Sequence, residues 1–142
     1  MTFLRRVFIT GLAVLMSATS VVGGIVNCGV GKSAFQINSL GFWPDPPVAG
    51  ENASVSFGYT VPDGMTVTDG TAQYGYTLNY IPLPGSTDPL CTDVPCPITS
   101  GYHNLTSTNI WPTGVSGKLV TTINWYDLAK NLLLCVQLTT KT

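Results

Sequence analysis

Hydrophobic and polar residues alternate along much of this chain. The alternation is most regular over residues 53–60, 71–80, 118–125 and 132–138. A period of two places successive side chains on opposite faces of a β-strand, so each of these stretches is predicted to be a strand with one buried face. The only helix-like stretch, residues 126–134, is better explained by a hairpin turn at residues 127–131.

Proline and glycine clusters separate these stretches. Pro62-Asp63-Gly64 is a short turn signal, whereas the proline-rich runs from Trp43 to Pro47 and from Pro82 to Pro89 predict longer loops. About seven short strands in about 120 residues are typical of an antiparallel β-sandwich. The predicted fold class is therefore all-β, an immunoglobulin-like sandwich of two antiparallel sheets.

The first 24 residues have the pattern of a secretory signal peptide. Arg5 and Arg6 give a positively charged start, residues 7–16 are mostly apolar, and small residues follow up to Gly24. We therefore predict a signal peptide over residues 1–24 and one domain over residues 25–142. An uncleaved anchor is the alternative, but threonine and serine interrupt a run that needs roughly 20 apolar residues to span a membrane.

The predicted domain carries few charges and no basic region. Residues 25–142 contain four lysines and seven acidic residues, a formal net charge of −3. Without clustered Lys or Arg, binding to nucleic acid has no electrostatic support. Asn52 and Asn104 each begin an Asn-X-Ser/Thr sequon, so both are predicted glycosylation sites in an exported chain.

Four cysteines in an exported chain predict two disulfide bonds, for which three pairings exist. Cys91 and Cys96 flank a short turn that a local bridge closes easily, which leaves Cys28 to pair with Cys135. Zinc binding is the alternative, but the chain has one histidine and the predicted compartment is oxidising. No metal site is therefore predicted.

No arrangement of catalytic residues stands out. Gly29 to Ser33 resembles the end of a phosphate-binding loop, but Val26 stands where that motif needs a glycine. His103 is the only histidine, and no Gly-X-Ser-X-Gly motif accompanies it. The acidic residues are scattered in turns, where aspartate is a common turn former. The chain is predicted not to be an enzyme and to need no cofactor.

Three motifs follow one another along the predicted domain. They are the pair Cys28-Gly29, the run from Cys91 to Gly101, and the late strands from Gly117 through Trp125 to Val136. In order and spacing they resemble the ML lipid-recognition domain family. Residues 37–40 and 44–52 are most similar to its fungal phosphatidylglycerol/phosphatidylinositol transfer branch. The chain departs from several members of this family, including a lysosomal cholesterol carrier, by lacking a third disulfide in the region of residues 40–47.

The resemblance implies a lipid-binding or lipid-transfer protein. In such a protein a phospholipid, such as phosphatidylglycerol or phosphatidylinositol, or a sterol lies between the two sheets. The expected partners are this lipid and, transiently, a membrane, and the expected state is a monomer. The expected location is extracellular or the lumen of a lysosome or vacuole. The alternative is a lipid-sensing interaction module, co-receptor-like or allergen-like, without transfer activity.

An internal lipid cavity requires inward-facing apolar residues from both sheets, and the alternation predicts which residues these are. On the strands, the predicted lining residues are Phe57, Tyr59, Tyr76, Leu78, Tyr80, Leu119, Ile123, Trp125, Leu134 and Val136. Near the mouth, in flanking proline-containing loops, the predicted lining residues are Leu83, Ile110 and Trp111.

Overall fold

The computed structural model describes residues 24–142, so the predicted signal peptide lies outside the described residues, apart from Gly24. Eight strands and one single-turn helix follow each other along this part of the chain. They are β1 (Gly24–Asn27), β2 (Gln36–Trp43), β3 (Asn52–Val61), β4 (Gly70–Leu78), β5 (Ile81–Pro89), α1 (Leu90–Asp93), β6 (Gly101–Ile110), β7 (Lys118–Asp127) and β8 (Leu132–Lys141).

The strands form two sheets that pack face to face. One sheet has five strands in the order β1-β8-β7-β4-β5, and the other has three in the order β2-β3-β6. Every pairing between neighbouring strands is antiparallel. The predicted all-β, two-sheet sandwich is thereby confirmed.

The two sheets are held together by an aromatic cluster at one end of the sandwich, which we call the packed end. Trp125 on β7 meets Phe57 and Tyr59 of β3 edge to face, at ring-centroid distances of 5.9 and 5.5 Å. Phe35 stacks on Tyr59 at a ring-centroid distance of 5.5 Å. These four side chains are almost fully buried, so the cluster joins the sheets through apolar burial and aromatic contact.

The sandwich is closed along one side and open along the other. β1 packs beside β2 on the closed side. On the open side, β5 is the edge of the larger sheet and β6 is the edge of the smaller one. These two edges belong to different sheets, so no ladder of hydrogen bonds joins them. The gap between them leads into the interior.

The proline-rich run from Pro82 to Pro89 differs from its prediction, because it lies in strand β5 and not in a loop. β5 pairs with β4 along one side only, so its outer side needs no N–H donors and tolerates proline.

The turn predicted at residues 127–131 is present: the Asn131 N–H donates to Asp127 Oδ1 at 2.8 Å. The run at Gly29 is also a turn, closed by the Lys32 N–H on the Gly29 carbonyl at 2.9 Å.

Both predicted disulfide bonds are confirmed. Cys28 bonds to Cys135 across 107 residues of sequence, which ties the segment after β1 to strand β8. Cys91 bonds to Cys96 across five residues and closes the segment that contains α1. Among the described residues no cysteine is free.

The two disulfides are expected to stabilise the fold unequally. On the loop-entropy model, replacing Cys28 and Cys135 by alanine should lower the free energy of unfolding by about 4–5 kcal/mol, and replacing Cys91 and Cys96 by about 2 kcal/mol. Denaturant unfolding of the two double variants against the parent protein measures both values. A larger loss from the short bridge would show that α1, and not chain entropy, determines the effect.

Candidate functional site

A cavity of about 830 Å³ lies between the sheets. Phe57 and Trp125, at the packed end, form its floor. Its far end lies where β2 and β6 end and β4 turns into β5, and we call this the open end. The walls come from the inner faces of β3 and β6 on one side and of β4, β5 and β7 on the other. This volume falls in the range of ligand-binding pockets.

Nine of the thirteen side chains predicted to line a cavity do so. They are Phe57, Tyr76, Leu78, Leu83, Ile110, Trp111, Leu119, Ile123 and Trp125. The register explains why they converge: Leu78 lies opposite Leu119, and Tyr76 lies opposite Leu83 on the other flank of β4. Their role in binding a lipid stays a prediction.

The other four predicted lining residues lie elsewhere, and the expectation for them is corrected. Tyr59, Leu134 and Val136 face inward as expected but belong to the packed core, where they are almost fully buried. Their strand face was predicted correctly, but alternation contains no information about depth along the strand. Tyr80 is 82% exposed, because β4 ends at Leu78 and Tyr80 lies in the following turn with φ = 68°.

Other lining residues were missed by the sequence prediction. Ala53, Val55, Tyr74 and Leu138 continue the alternation of predicted residues on the same strands, so a complete count of each strand face would have found them. Phe42 and Leu105 were also missed; they are large apolar residues on β2 and β6, whose inner faces were not predicted. The remaining missed residues have weaker signals because they are small, polar or in irregular segments. They are Ser86, Asp88, Thr92, Asp93, Ser107, Asn109, Pro112, Val115 and Thr121.

The polar lining residues are concentrated along the open side. Six of them form a strip that we call the slot. The slot consists of Ser86 and Asp88 on β5, Thr92 and Asp93 on α1, and Ser107 and Asn109 on β6. Within residues 24–142, no lysine, arginine or histidine lines the cavity. The cavity is therefore apolar on its deep walls and polar, with a negative charge, along its opening.

Tyr74 connects the apolar wall to the slot. Its hydroxyl donates a hydrogen bond to Asp93 Oδ2. Burial raises the pKa of Tyr74 well above its ordinary value, and the hydrogen bond to Asp93 and the charges of Asp93 and Asp88 raise it further. Tyr74 therefore stays protonated at physiological pH and acts as a donor that holds the Asp93 carboxylate in place.

Trp111 closes part of the open end. Its ring meets Phe42 edge to face at a centroid distance of 6.0 Å. The Trp111 Nε1 atom is buried and has no hydrogen-bond partner in the part of the chain that the structure describes. Because this atom is shielded from solvent, it does not add an accessible donor to the slot.

Several large apolar side chains around the open end are exposed to solvent. Trp43 at the end of β2 is 73% exposed and Ile110 at the end of β6 is 69% exposed. Tyr80 and Ile81 are exposed at the turn between β4 and β5. Lys118 Nζ lies 4.9 Å from the centre of the Tyr80 ring, a cation–π contact at the same end.

The remaining candidate residues lie outside the cavity. Asn52 and Asn104 are both exposed, so the sequons are accessible, and their glycosylation stays a prediction. The His103 ring stacks on Tyr59 at 5.5 Å, with Nε2 2.6 Å from the Thr99 carbonyl oxygen.

No set of three or more His, Cys, Asp or Glu side chains in residues 24–142 is arranged to hold a metal ion. No helix of that part of the chain is long and apolar enough to cross a membrane.

The fold and cavity together define a class, a two-sheet sandwich with an apolar interior that opens along one side. A family model described as the ML domain matches residues 24–142. Because this match covers most of the chain, the protein belongs to the ML domain family, as the motifs around its cysteines predicted.

Similar proteins are known in sequence and in structure. The phosphatidylglycerol/phosphatidylinositol transfer protein of Mycosarcoma maydis is 31% identical over 121 residues, which cover 79% of this chain and 62% of that protein. A Niemann-Pick type C2 protein from Japanese carpenter ant has a TM-score of 0.64 at 15% identity, covering 82% of this chain and 96% of that one. Chicken MD-1, solved in complex with lipid IVa, has a TM-score of 0.56 at 11% identity, with coverages of 83% and 87%. The two structural similarities support the fold.

The raised pKa of Tyr74 predicts a specific dependence of stability on alkaline pH. The folded-state pKa exceeds the unfolded value near 10, so the stability that Tyr74 contributes is complete below about pH 10 and is lost as pH rises through the folded pKa. The stability difference between the parent and Tyr74→Phe should therefore be constant near neutral pH and shrink above about pH 10. Denaturant unfolding of both proteins over a pH series measures it. A difference that does not change with alkaline pH would contradict the assignment.

Proposed function

We propose that this protein is a secreted or lumenal lipid carrier that holds one lipid between its two sheets and moves it between membranes. The observation that carries the proposal is the cavity of about 830 Å³ between the sheets. An unfilled interior of this size forgoes much of the apolar contact that normally stabilises a sandwich, and a ligand supplies that contact.

The deep walls of the cavity are suited to a hydrocarbon chain. Burial of one CH₂ group contributes about 0.8 kcal/mol, so a sixteen-carbon chain gains about 13 kcal/mol before ordering is subtracted. Aromatic and branched side chains such as Tyr76, Ile123 and Trp125 provide this apolar surface. Such binding needs no reacting group, which agrees with a non-enzymatic role.

The nature of the ligand is proposed from the relatives and from the site together. The name of the Mycosarcoma maydis relative supports a phospholipid, and the apolar walls are also compatible with a sterol. The two disulfide bonds support an oxidising compartment, that is, the extracellular space or the lumen of a lysosome or vacuole.

The open end is suited to contact with a lipid surface. Trp43, Tyr80 and Ile81 expose apolar surface there, and Lys118 places a positive charge beside them. Exposed aromatic and apolar groups flanked by a cation favour the interface of a membrane with anionic lipid. We propose that the open end docks transiently on the membrane and that the lipid enters or leaves there, with the protein acting as a monomer.

Filling the cavity is expected to abolish lipid uptake without unfolding the protein. Thr121 lines the cavity on β7, whereas Val136, on the neighbouring strand β8, lies in the packed core. Thr121→Trp should remain folded and take up no lipid. Val136→Trp, the matched control, should lose about 1–3 kcal/mol of folding free energy through overpacking. Uptake of a fluorescent phospholipid and a fluorescent sterol, with denaturant unfolding, measures both effects.

Native protein should also release lipid on extraction with organic solvent, and mass spectrometry identifies it. A parent protein that binds neither probe and releases no lipid would contradict the lipid-carrier proposal. Tight binding without movement of lipid between donor and acceptor vesicles would contradict transfer and favour the lipid-sensing alternative.

Removing apolar surface at the open end is expected to slow transfer but not uptake. Trp43 is 73% exposed at the open end, and Leu128 is 72% exposed in the turn between β7 and β8, at the opposite end. Trp43→Ser should weaken binding to vesicles and slow transfer between them, while the amount of lipid bound per protein stays unchanged. Leu128→Ser is the control and should leave vesicle binding and transfer at the parent level. Equal effects of the two substitutions would contradict docking through the open end.

A further inference from the structure

The slot is the polar part of the cavity lining. It has hydroxyl groups on both edges, an amide at Asn109, and two carboxylates at Asp88 and Asp93. Ser86, Thr92, Ser107 and Asn109 are exposed, whereas the two aspartates are half-buried. The slot is thus the polar surface that the cavity offers to the headgroup of a ligand whose chain fills the deep walls.

The slot has acceptors and negative charge but no cation. Asp88 lies on β5, opposite Ala72 of β4, and Asp93 lies on α1, which comes directly after β5. The charges of both aspartates act on Tyr74, which lines the cavity wall next to them. The nearby lysine of the open end, Lys118, lies over the Tyr80 ring and does not line the cavity. A phosphate placed in the slot would face two carboxylates without a counter-ion.

The Tyr74 hydrogen bond keeps one of these carboxylates in a fixed position. Tyr74 donates to Asp93 Oδ2, and the Thr92 hydroxyl lies 3.5 Å from the other oxygen, Oδ1, which keeps a second lone pair that can accept a hydrogen bond from a ligand. Asp93 is thus a preorganised acceptor at the boundary between the apolar wall and the slot. A hydroxyl group donates to such an acceptor, whereas a phosphate monoanion or dianion is repelled by it.

We propose that the slot selects lipids whose polar group donates hydrogen bonds and carries no negative charge, with Asp88 and Asp93 as the residues that determine this specificity. Diacylglycerol and sterols have this chemistry. The inference rests on the proposed lipid-carrier function and narrows its ligand: a phospholipid with an anionic headgroup is disfavoured in the slot, although its chains fit the deep walls.

Lipids with identical acyl chains separate the effect of the headgroup from that of the chains. The full-length mature protein is offered dioleoylglycerol, dioleoylphosphatidylglycerol, dioleoylphosphatidylinositol and, in a separate arm, cholesterol, and bound lipid is measured by competition and mass spectrometry. Dioleoylglycerol is expected to bind at least about tenfold more tightly than either anionic phospholipid. Cholesterol and dioleoylglycerol both carry a hydroxyl group. The separate cholesterol arm therefore shows whether the ligand is a sterol or a glycerolipid.

Substitution of the two aspartates tests their part in this selection. Asp88→Asn/Asp93→Asn removes both charges but keeps side chains of the same size, and an asparagine oxygen still accepts the Tyr74 hydroxyl. The preference for dioleoylglycerol over phosphatidylglycerol should fall by about tenfold, mainly through tighter binding of the anionic lipid. Asp63→Asn, in the exposed turn after β3, is the control and should leave the preference unchanged.

The outcomes distinguish the two proposals. If the parent protein binds phosphatidylglycerol or phosphatidylinositol as tightly as dioleoylglycerol, the lipid-carrier function stands and the selection by the slot is wrong. An unchanged preference in the double aspartate variant also overturns the role of Asp88 and Asp93. If none of the four lipids binds, the lipid-carrier proposal itself fails.

Discussion

The aromatic cluster around Trp125 is the contact on which the rest of this molecule depends. Two β-sheets normally pack about 10 Å apart over their whole length, and inner-face side chains fill the space between them. Here Trp125, Phe57, Tyr59 and Phe35 fill that space at one end only. Because the sheets are secured there and along the β1–β2 side, they can enclose an unfilled volume towards the open end without separating. The Cys28–Cys135 bond strengthens the same arrangement by tying the β1 end to β8.

The distribution of polarity follows from this arrangement. Apolar side chains on the central strands β3, β4 and β7 face the enclosed space, and the edge strands β5 and β6 contribute the polar residues where that space meets water. A bound chain would therefore be desolvated by the middle of each sheet, while its polar group would meet Asp88, Asp93 and their hydroxyl neighbours. The apolar surface and the polar slot thus come from different elements of the same sandwich, the slot from β5, β6 and α1.

Alternation along the sequence predicted much of the fold and the centre of the site. It identified the inward faces of β3, β4, β7 and β8, and local turn chemistry identified the hairpin at Asp127. It could not predict depth along a strand, which is why Val136 was expected in the cavity and lies in the core. It also treats polar residues as outward-facing, so Ser107 and Asn109, which line an open wall, gave no signal. Prolines in β5 indicated a loop, because their tolerance at a sheet edge depends on tertiary structure.

The prolines of β5 have a consequence for how copies of this protein meet in solution. A sandwich that stays unsealed on one side leaves unpaired strand edges, which can add a strand from another copy and begin aggregation. Pro82, Pro84 and Pro89 have no N–H group, so β5 is a poor template for such an added strand. The prolines that made β5 resemble a loop in the sequence therefore also make its free edge a poor site for adding a strand from another copy.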